Sequence, residues 1–372
     1  MSPPDRPLRR GWTTGTCATA AAKAAYTALL TGEFPDPVEI TLPRGERPSF
    51  ALAVARKDAG SATAGIVKDA GDDPDVTHGA LVLATVRATA PGSGVAFCAG
   101  AGVGTVTRAG LPLPPGEPAI NPVPRRMICN AIAEVAAMVS ASGDVEVEIG
   151  VADGERLAAK TLNARLGIAG GLSILGTTGI VVPYSCAAWI DSICRGIDVA
   201  RAAGLTHIAG ATGSNSESAV QKFHFLPEIA LIEMGDFVGG MLKYLRRHPI
   251  ERVTVAGGVG KMTKLAQGLL DLHSKRGSVD LAVLAGLAEV AGASETLVQH
   301  IIASSTAAEA FGHAAAEKIT LGDQVAYAAQ RAAMDVVAHS GIDIEIVLFD
   351  RSGRLVGHAP FGSHHDGASP RN

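Results

Sequence analysis

The stretch that decides the fold is Leu205-Thr206-His207-Ile208-Ala209-Gly210-Ala211-Thr212-Gly213-Ser214-Asn215, an apolar run broken by glycine and followed at once by a helical pattern over 215–224. The same cadence returns twice: apolar 229–233 leads into helical 236–248, and 251–256 into 260–273. Strands that alternate with helices cannot be joined as hairpins, so the run predicts parallel strands with covering helices. Downstream, helical patterns over 281–291, 294–302, 306–315 and 320–340 precede a strand at 343–349. The turn Asp350-Arg351-Ser352-Gly353 returns that strand into 354–358. The last dozen residues, rich in Gly, Ser and His, read as a frayed tail.

Upstream the pattern changes. A helix over 16–31 follows the threonine-rich lead, and β-rich runs near 37–43, 49–56, 62–68, 79–89 and 144–150 surround one further helix at 124–140. The prediction is an α+β domain over 1–165, a Rossmann-like α/β domain with a mostly parallel sheet over 166–360, and a flexible tail over 361–372.

Composition agrees with a folded chain. Hydrophobic residues are 47% and charged ones 18% of 372 residues, far from a disordered composition. Aromatics are only 4% while Gly numbers 44, so the core must be aliphatic, with close backbone approaches. A net charge of −4 without a basic, aromatic-laced stripe argues against nucleic-acid binding. The five cysteines form no C-x-x-C pair, so neither a disulfide framework nor a zinc knuckle is indicated and a reducing cytoplasm fits; no protein-bound metal is expected. No apolar run is long enough for a membrane span. Arg9-Arg10 imitates a twin-arginine signal, but Lys23 and four threonines spoil the apolar segment that would follow.

Four stretches offer chemistry. Thr13, Thr14 and Thr16 stand at a helix start whose free amides suit a carboxylate, or else form an ordinary cap. The loop from Lys68 to Gly79 gathers Asp69, Asp72, Asp73, Asp75 and His78: a solvated turn, or a place where adjacent carboxylates push one pKa up and supply an acid or base. It lacks the glycine and terminal glutamate of a calcium hand. The proline-fixed strap Pro118 to Arg126 delivers Asn121, Arg125 and Arg126 to a helix N-terminus, where an anion or an internal salt bridge would explain the positive charge. The glycine-dense block Gly167 to Gly179 suits either a flat ligand or tight packing.

In the alternating half, Gly213, Glu233, Asp236, Gly257, Gly258 and Gly260 follow parallel strands, at the edge where open α/β sheets bind nucleosides. The acidic residues stand where ribose hydroxyls would be met, although no full G-x-G-x-x-G is present, which weakens a generic nucleoside-binding oxidoreductase. Lys261 is not a phosphate-loop lysine, because Val255 and Met262 occupy the diagnostic positions.

Together, Arg10 to Cys17, Lys68 to Gly79, Gly102-Val103-Gly104, Ala119 to Arg126 and Gly170 to Val181 resemble the CbiD-type cobalt-precorrin-5B C(1)-methyltransferase family of cobalamin biosynthesis, collinearly over most of the chain. The resemblance implies that S-adenosyl-L-methionine methylates ring carbon 1 of a tetrapyrrole precursor. On that reading Asp72, Asp73 or His78 moves a proton as the macrocycle rearranges. Thr13, Thr14, Thr16, Lys68, Asn121, Arg125 and Arg126 meet the acidic arms, and the glycine loops with Glu233 and Asp236 hold the donor. A non-catalytic tetrapyrrole carrier is the competing class. The chain departs from the family at Gly257 to Lys261, where Gly-His-x-Gly-Lys is the usual form, at Gly210 to Asn215, where a Pro-Gly-Asn loop is usual, and at Val182 to Cys186, which suggests a sub-branch differing in substrate metal content. Ala-rich helices at 281–291 and 306–316 suit a subunit face of a homo-oligomer.

Overall fold

Alanine dominates the helix on which the first half is built. In α1 (Thr14–Thr31), Ala18, Ala20, Ala21, Ala22, Ala24, Ala25 and Ala28 are fully buried. A surface of methyl groups lets a helix lie close against both a sheet and a second helix, which longer side chains would prevent. Thr13 caps it by accepting from the Thr16 amide at 3.2 Å, and Gly32, at φ 92°, ends it in a conformation that suits glycine.

The computed structural model describes residues 7–362, so most of the expected tail lies outside the described residues. The chain divides into two compact units, Met1–Cys186 and Ala187–Asn372, each a mixed α/β arrangement.

In the first unit, β1 (Gly11–Trp12) leads into α1. Then come β2 (Val38–Glu39), β3 (Ser49–Phe50), β4 (Val54–Asp58), β5 (Ser61–Val67), β6 (Leu81–Ala88), β7 (Val95–Ala99), β8 (Thr105–Val106), α2 (Pro122–Val139), β9 (Val145–Val151), α3 (Gly154–Ala158), β10 (Ile168–Ala169) and β11 (Ile180–Val181). The main sheet runs β4-β5-β6-β9-β7, antiparallel except where β7 lies parallel to β9. Val82, Ala84 and Val86 alternate inward along β6 and meet α1. The expected strand at 49–56 is two, because β3 pairs with β2 while β4 pairs with β5.

The second unit contains α4 (Cys186–Ala202), β12 (His207–Ala211), α5 (Ser214–His224), a 3-10 turn at Glu228–Ala230, β13 (Leu231–Glu233), α6 (Val238–Leu245), β14 (Arg252–Gly258) and α7 (Val259–Ala266). Four more helices follow, α8 (Leu281–Val290), α9 (Glu295–Ala303), α10 (Ala307–Ala316) and α11 (Leu321–Val336), then β15 (Asp343–Phe349) and β16 (Leu355–Ala359). Its sheet runs β13-β12-β14-β15-β16, and only β16 is antiparallel. The third alternating helix is shorter than its expected 260–273, because the chain turns at Gly268 with φ 81°. Likewise α11 stops before 340, where His339 and Gly341 take positive φ. β7 and α4 were not anticipated. No helix among the described residues is long and apolar enough to cross a membrane.

Candidate functional site

The loop over 68–79 is held by its own charges. Lys68, 1% exposed, donates to Asp75 Oδ2 at 2.6 Å, and the other oxygen of Asp75 accepts from the Thr77 amide and hydroxyl at 2.7 and 2.6 Å. Burial would raise the Asp75 pKa, but the Lys68 charge and these donors outweigh it and keep it low. Lys68 is therefore committed inside the protein, and its ammonium closes the loop. Asp69 is gripped by the Arg9 guanidinium and by the Gly71 amide, which hold its pKa at about 2.

Asp72 and Asp73, adjacent in sequence, serve different segments. Asp72 accepts from the Arg9 amide at 2.7 Å, and Asp73 accepts from the Tyr184 amide at 2.8 Å. His78 accepts the Ala70 amide on Nδ1 at 3.1 Å, and its side chain is 53% exposed. Of Asp72, Asp73 and His78, His78 is the exposed one.

The threonines at the start of α1 are spent on packing. Thr14 exchanges hydrogen bonds with Leu175, its hydroxyl accepting from the Leu175 amide at 3.0 Å, and the Thr16 hydroxyl donates to the Gly179 carbonyl at 2.6 Å. The Thr13 and Gly15 amides donate to the Gly179 and Leu175 carbonyls. The glycine-dense block thus folds against this helix start within the first unit. A Cβ on Gly176 would lie 2.3 Å from Thr13 Oγ1, and one on Gly171 2.3 Å from the Gly102 carbonyl oxygen.

The two arginines of the strap part company. Arg125 donates to Glu117 at 2.8 Å, to the Pro118 carbonyl at 3.0 Å and to the Ile120 carbonyl at 2.8 Å, and lies over the Phe97 ring at 5.2 Å. It is the internal salt bridge that the sequence left open. Arg126 is exposed and has no ion pair among the described residues. Asn121 stands at the N-cap of α2 without a side-chain capping bond.

In the second unit the nominated residues gather at the carboxyl edge of the sheet. Glu233 ends β13 opposite Ala211 of β12, and Gly258 ends β14. Gly213 and Gly258 are the N-caps of α5 and α7, neither supplying a side-chain cap. A Cβ on Gly213, Gly258 or Gly260 would meet nothing within 4 Å, so backbone there borders open space, whereas one on Gly257 would press on Thr212 and Met262 at 3.0 Å. Asp236 Oδ1 is buried 3.0 Å from the Lys261 ammonium without an aligned hydrogen bond, and that ammonium donates to the Thr212 carbonyl at 2.8 Å. Trp189 donates to the Glu233 carbonyl at 3.1 Å and its ring covers Gly235. The sequence places Lys261 at this edge without a role, and it gives no sign of Trp189 there.

The arrangement can do two things. In the second unit, two uncapped helix starts, open glycine backbone and an unfilled carboxylate acceptor can receive a polar, partly anionic ligand with donor groups. In the first unit, Arg126 and His78 offer exposed polar groups to an acidic ligand.

A family model described as CbiD matches residues 1–183, and one described as CbiD, C-terminal domain, matches residues 271–360. The chain is 62% identical over 370 residues to a Bradyrhizobium protein named cobalt-precorrin-5B C(1)-methyltransferase, covering 100% of this chain and 98% of that one. It is 60% identical over 368 residues to a protein of the same name from Agrobacterium fabrum, covering 99% and 97%. A crystal structure of a cobalamin biosynthesis protein (cbiD) from Archaeoglobus fulgidus is 30% identical, with a TM-score of 0.40, over 72% of this chain and 83% of that one.

Proposed function

The chain belongs to the CbiD family, and we propose on that premise that it is a cobalt-precorrin-5B C(1)-methyltransferase. It methylates ring carbon 1 of a precorrin-5B-type tetrapyrrole in cobalamin biosynthesis, giving the precorrin-6A-type product. The observation that carries the reading is 60–62% identity running from end to end of relatives so named.

S-adenosyl-L-methionine, when bound, supplies a methyl group on a sulfonium, so the new carbon–carbon bond forms as the carbon–sulfur bond breaks and the sulfur loses its charge. The residues at the carboxyl edge of the second unit fit such a donor. Gly213, Gly258 and Gly260 leave room beside the backbone, Asp236 retains an unfilled acceptor, and Glu233 is exposed to take hydroxyl or ammonium protons. The edge belongs to what we read as a Rossmann-like domain, the first half being a separate α+β domain. No covalent intermediate on the protein is needed, since direct displacement asks for alignment and exclusion of water.

For the acidic arms of the tetrapyrrole we assign Arg126 and Asn121. Arg125, Lys68 and the threonines Thr13, Thr14 and Thr16 hold the shape of the surfaces that present them. His78 is the proton carrier of choice, with Asp72 and Asp73 anchoring its loop. The work is placed in the cytoplasm, with the tetrapyrrole and the donor as small-molecule partners.

The test is anaerobic incubation of the purified protein with donor and with either cobalt-loaded or metal-free precorrin-5B. Mass spectrometry should find the pigment heavier by one methylene and S-adenosylhomocysteine in equal amount. Tight pigment binding with no mass gain would instead make the protein a carrier.

A further inference from the structure

On the sheet face that α5 covers, away from the carboxyl edge, one carboxylate is buried without a lysine or arginine. Glu345 of β15 is 3% exposed, and its ion-pair partners among the described residues are imidazoles alone. A buried charge of this kind needs a cation within reach. His224, the last residue of α5, brings Nε2 to 2.5 Å from Oε2, and His358 of β16 brings Nε2 to 2.9 Å from Oε1. Thr254, beside Glu345 on β14, donates to Oε2 at 2.6 Å and sits 2.8 Å from His207 Nε2 on β12. One ligand atom from each of His207, His224 and Glu345 falls within 4.8 Å of the others.

We propose that His207, His224 and Glu345 bind a divalent transition-metal ion of the zinc class. Two imidazole nitrogens and one carboxylate oxygen are a donor set that zinc accepts while keeping a fourth position for water, whereas magnesium and calcium prefer oxygen alone. Zinc–ligand bonds of roughly 2.1 Å set tetrahedral ligand atoms about 3.4 Å apart. His224 and Glu345 therefore separate by under about 1 Å, and His207 draws in. His358 on the other carboxylate oxygen, and Thr254, are the outer contacts that fix a metal ligand's orientation. The Phe361 ring stands 5.2 Å from that of His207, and Phe223 4.7 Å from that of His224, giving the cluster an apolar wall. Each ring must carry its proton on the nitrogen facing away from the ion, and any surplus proton leaves to solvent.

Such an ion ties α5 to β12 and β15. It is distinct from any cobalt carried by the substrate, and the proposal does not depend on methyl transfer. Sequence spacing hides it, because His224 and Glu345 are 121 residues apart and meet only through the sheet register.

The experiment uses tag-free full-length protein carrying H364N and H365N, which keeps the C-terminal imidazoles from binding metal, after dialysis against chelator. Calorimetric titration with zinc should show one ion per chain and a higher melting temperature. Cobalt(II) should give the visible bands of a tetrahedral site. H207Q and H224Q, checked for folding by circular dichroism, should each weaken zinc binding at least tenfold. Zinc uptake no better than that of H224Q, or a melting temperature that follows pH but not zinc, overturns the proposal and leaves a protonated imidazole as the counter-charge.

Discussion

Lys261 faces Asp236 Oδ1 at 3.0 Å and donates to the Thr212 carbonyl at 2.8 Å. The lysine thus stitches the loop after β12 to the loop after β13, and the carboxylate keeps a buried acceptor in hand. If this edge holds the methyl donor, E233L should weaken donor affinity about tenfold or more, since a hydrogen bond to a charged group is worth about 1.5–3 kcal/mol. Calorimetry with S-adenosylmethionine reads this directly. Unchanged affinity in a folded E233L protein removes Glu233 from donor binding.

The two arginines of the strap should respond in opposite ways. R125M removes the guanidinium that joins Glu117, Pro118 and Ile120, and should cost about 1–3 kcal/mol of stability, seen as a lower Tm. R126M should leave Tm alone and raise KM for the tetrapyrrole roughly fivefold, the equivalent of about 1 kcal/mol for an exposed charge pair. A Tm loss in R126M with no change in KM would reverse the assignment.

Cys17 lies fully buried in α1, and burial pushes its thiol up to about 12. Since the thiolate is the reactive form, Cys17 should escape alkylation at pH 8 in the native protein and react once the chain is unfolded. Cys186, which is exposed, should be labelled first. Peptide mass spectrometry distinguishes the two sites, and early labelling of Cys17 would show that the α1 core opens.

The Arg9–Asp69 pair sets an acid limit. Because the folded pKa of Asp69 is lowered to about 2, its contribution is complete above the ordinary carboxylate range and is lost as pH falls through about 2. R9M takes away the largest cause of that shift, so it should be less stable than the parent at pH 7, modestly because the pair is half-exposed, and the difference should vanish as pH falls through about 2. Fluorescence of Trp12, whose amide donates to the Asp69 carbonyl, can follow the transition.

The alternation in the second half was legible because a strand followed by a helix changes hydrophobic period within a few residues. Short strands fared worse: β7 has no fully buried residue and sits just after Gly92 and Gly94, so it carries no apolar alternation to read. α4 did carry a signal, with Ile193, Ile197 and Ala200 at helical spacing. At the site, which charges exist was plain, whereas which ones are spent was not. Arg125 and Arg126 are neighbours of identical type, and only the position of Glu117 in space decides that one is structural. Lys68 likewise is spent only because Asp75 lies within its reach, seven residues on in the folded loop.

At Gly102, Gly154 and Gly171 main chain rests directly on main chain. A Cβ on Gly154 would stand 2.1 Å, and one on Gly171 2.3 Å, from the Gly102 carbonyl oxygen. Because the obstacle in each case is peptide rather than a side chain that could be trimmed, no second-site change can relieve a methyl added there. These three positions are inherited as one unit, and saturation mutagenesis should find each of them intolerant even to alanine.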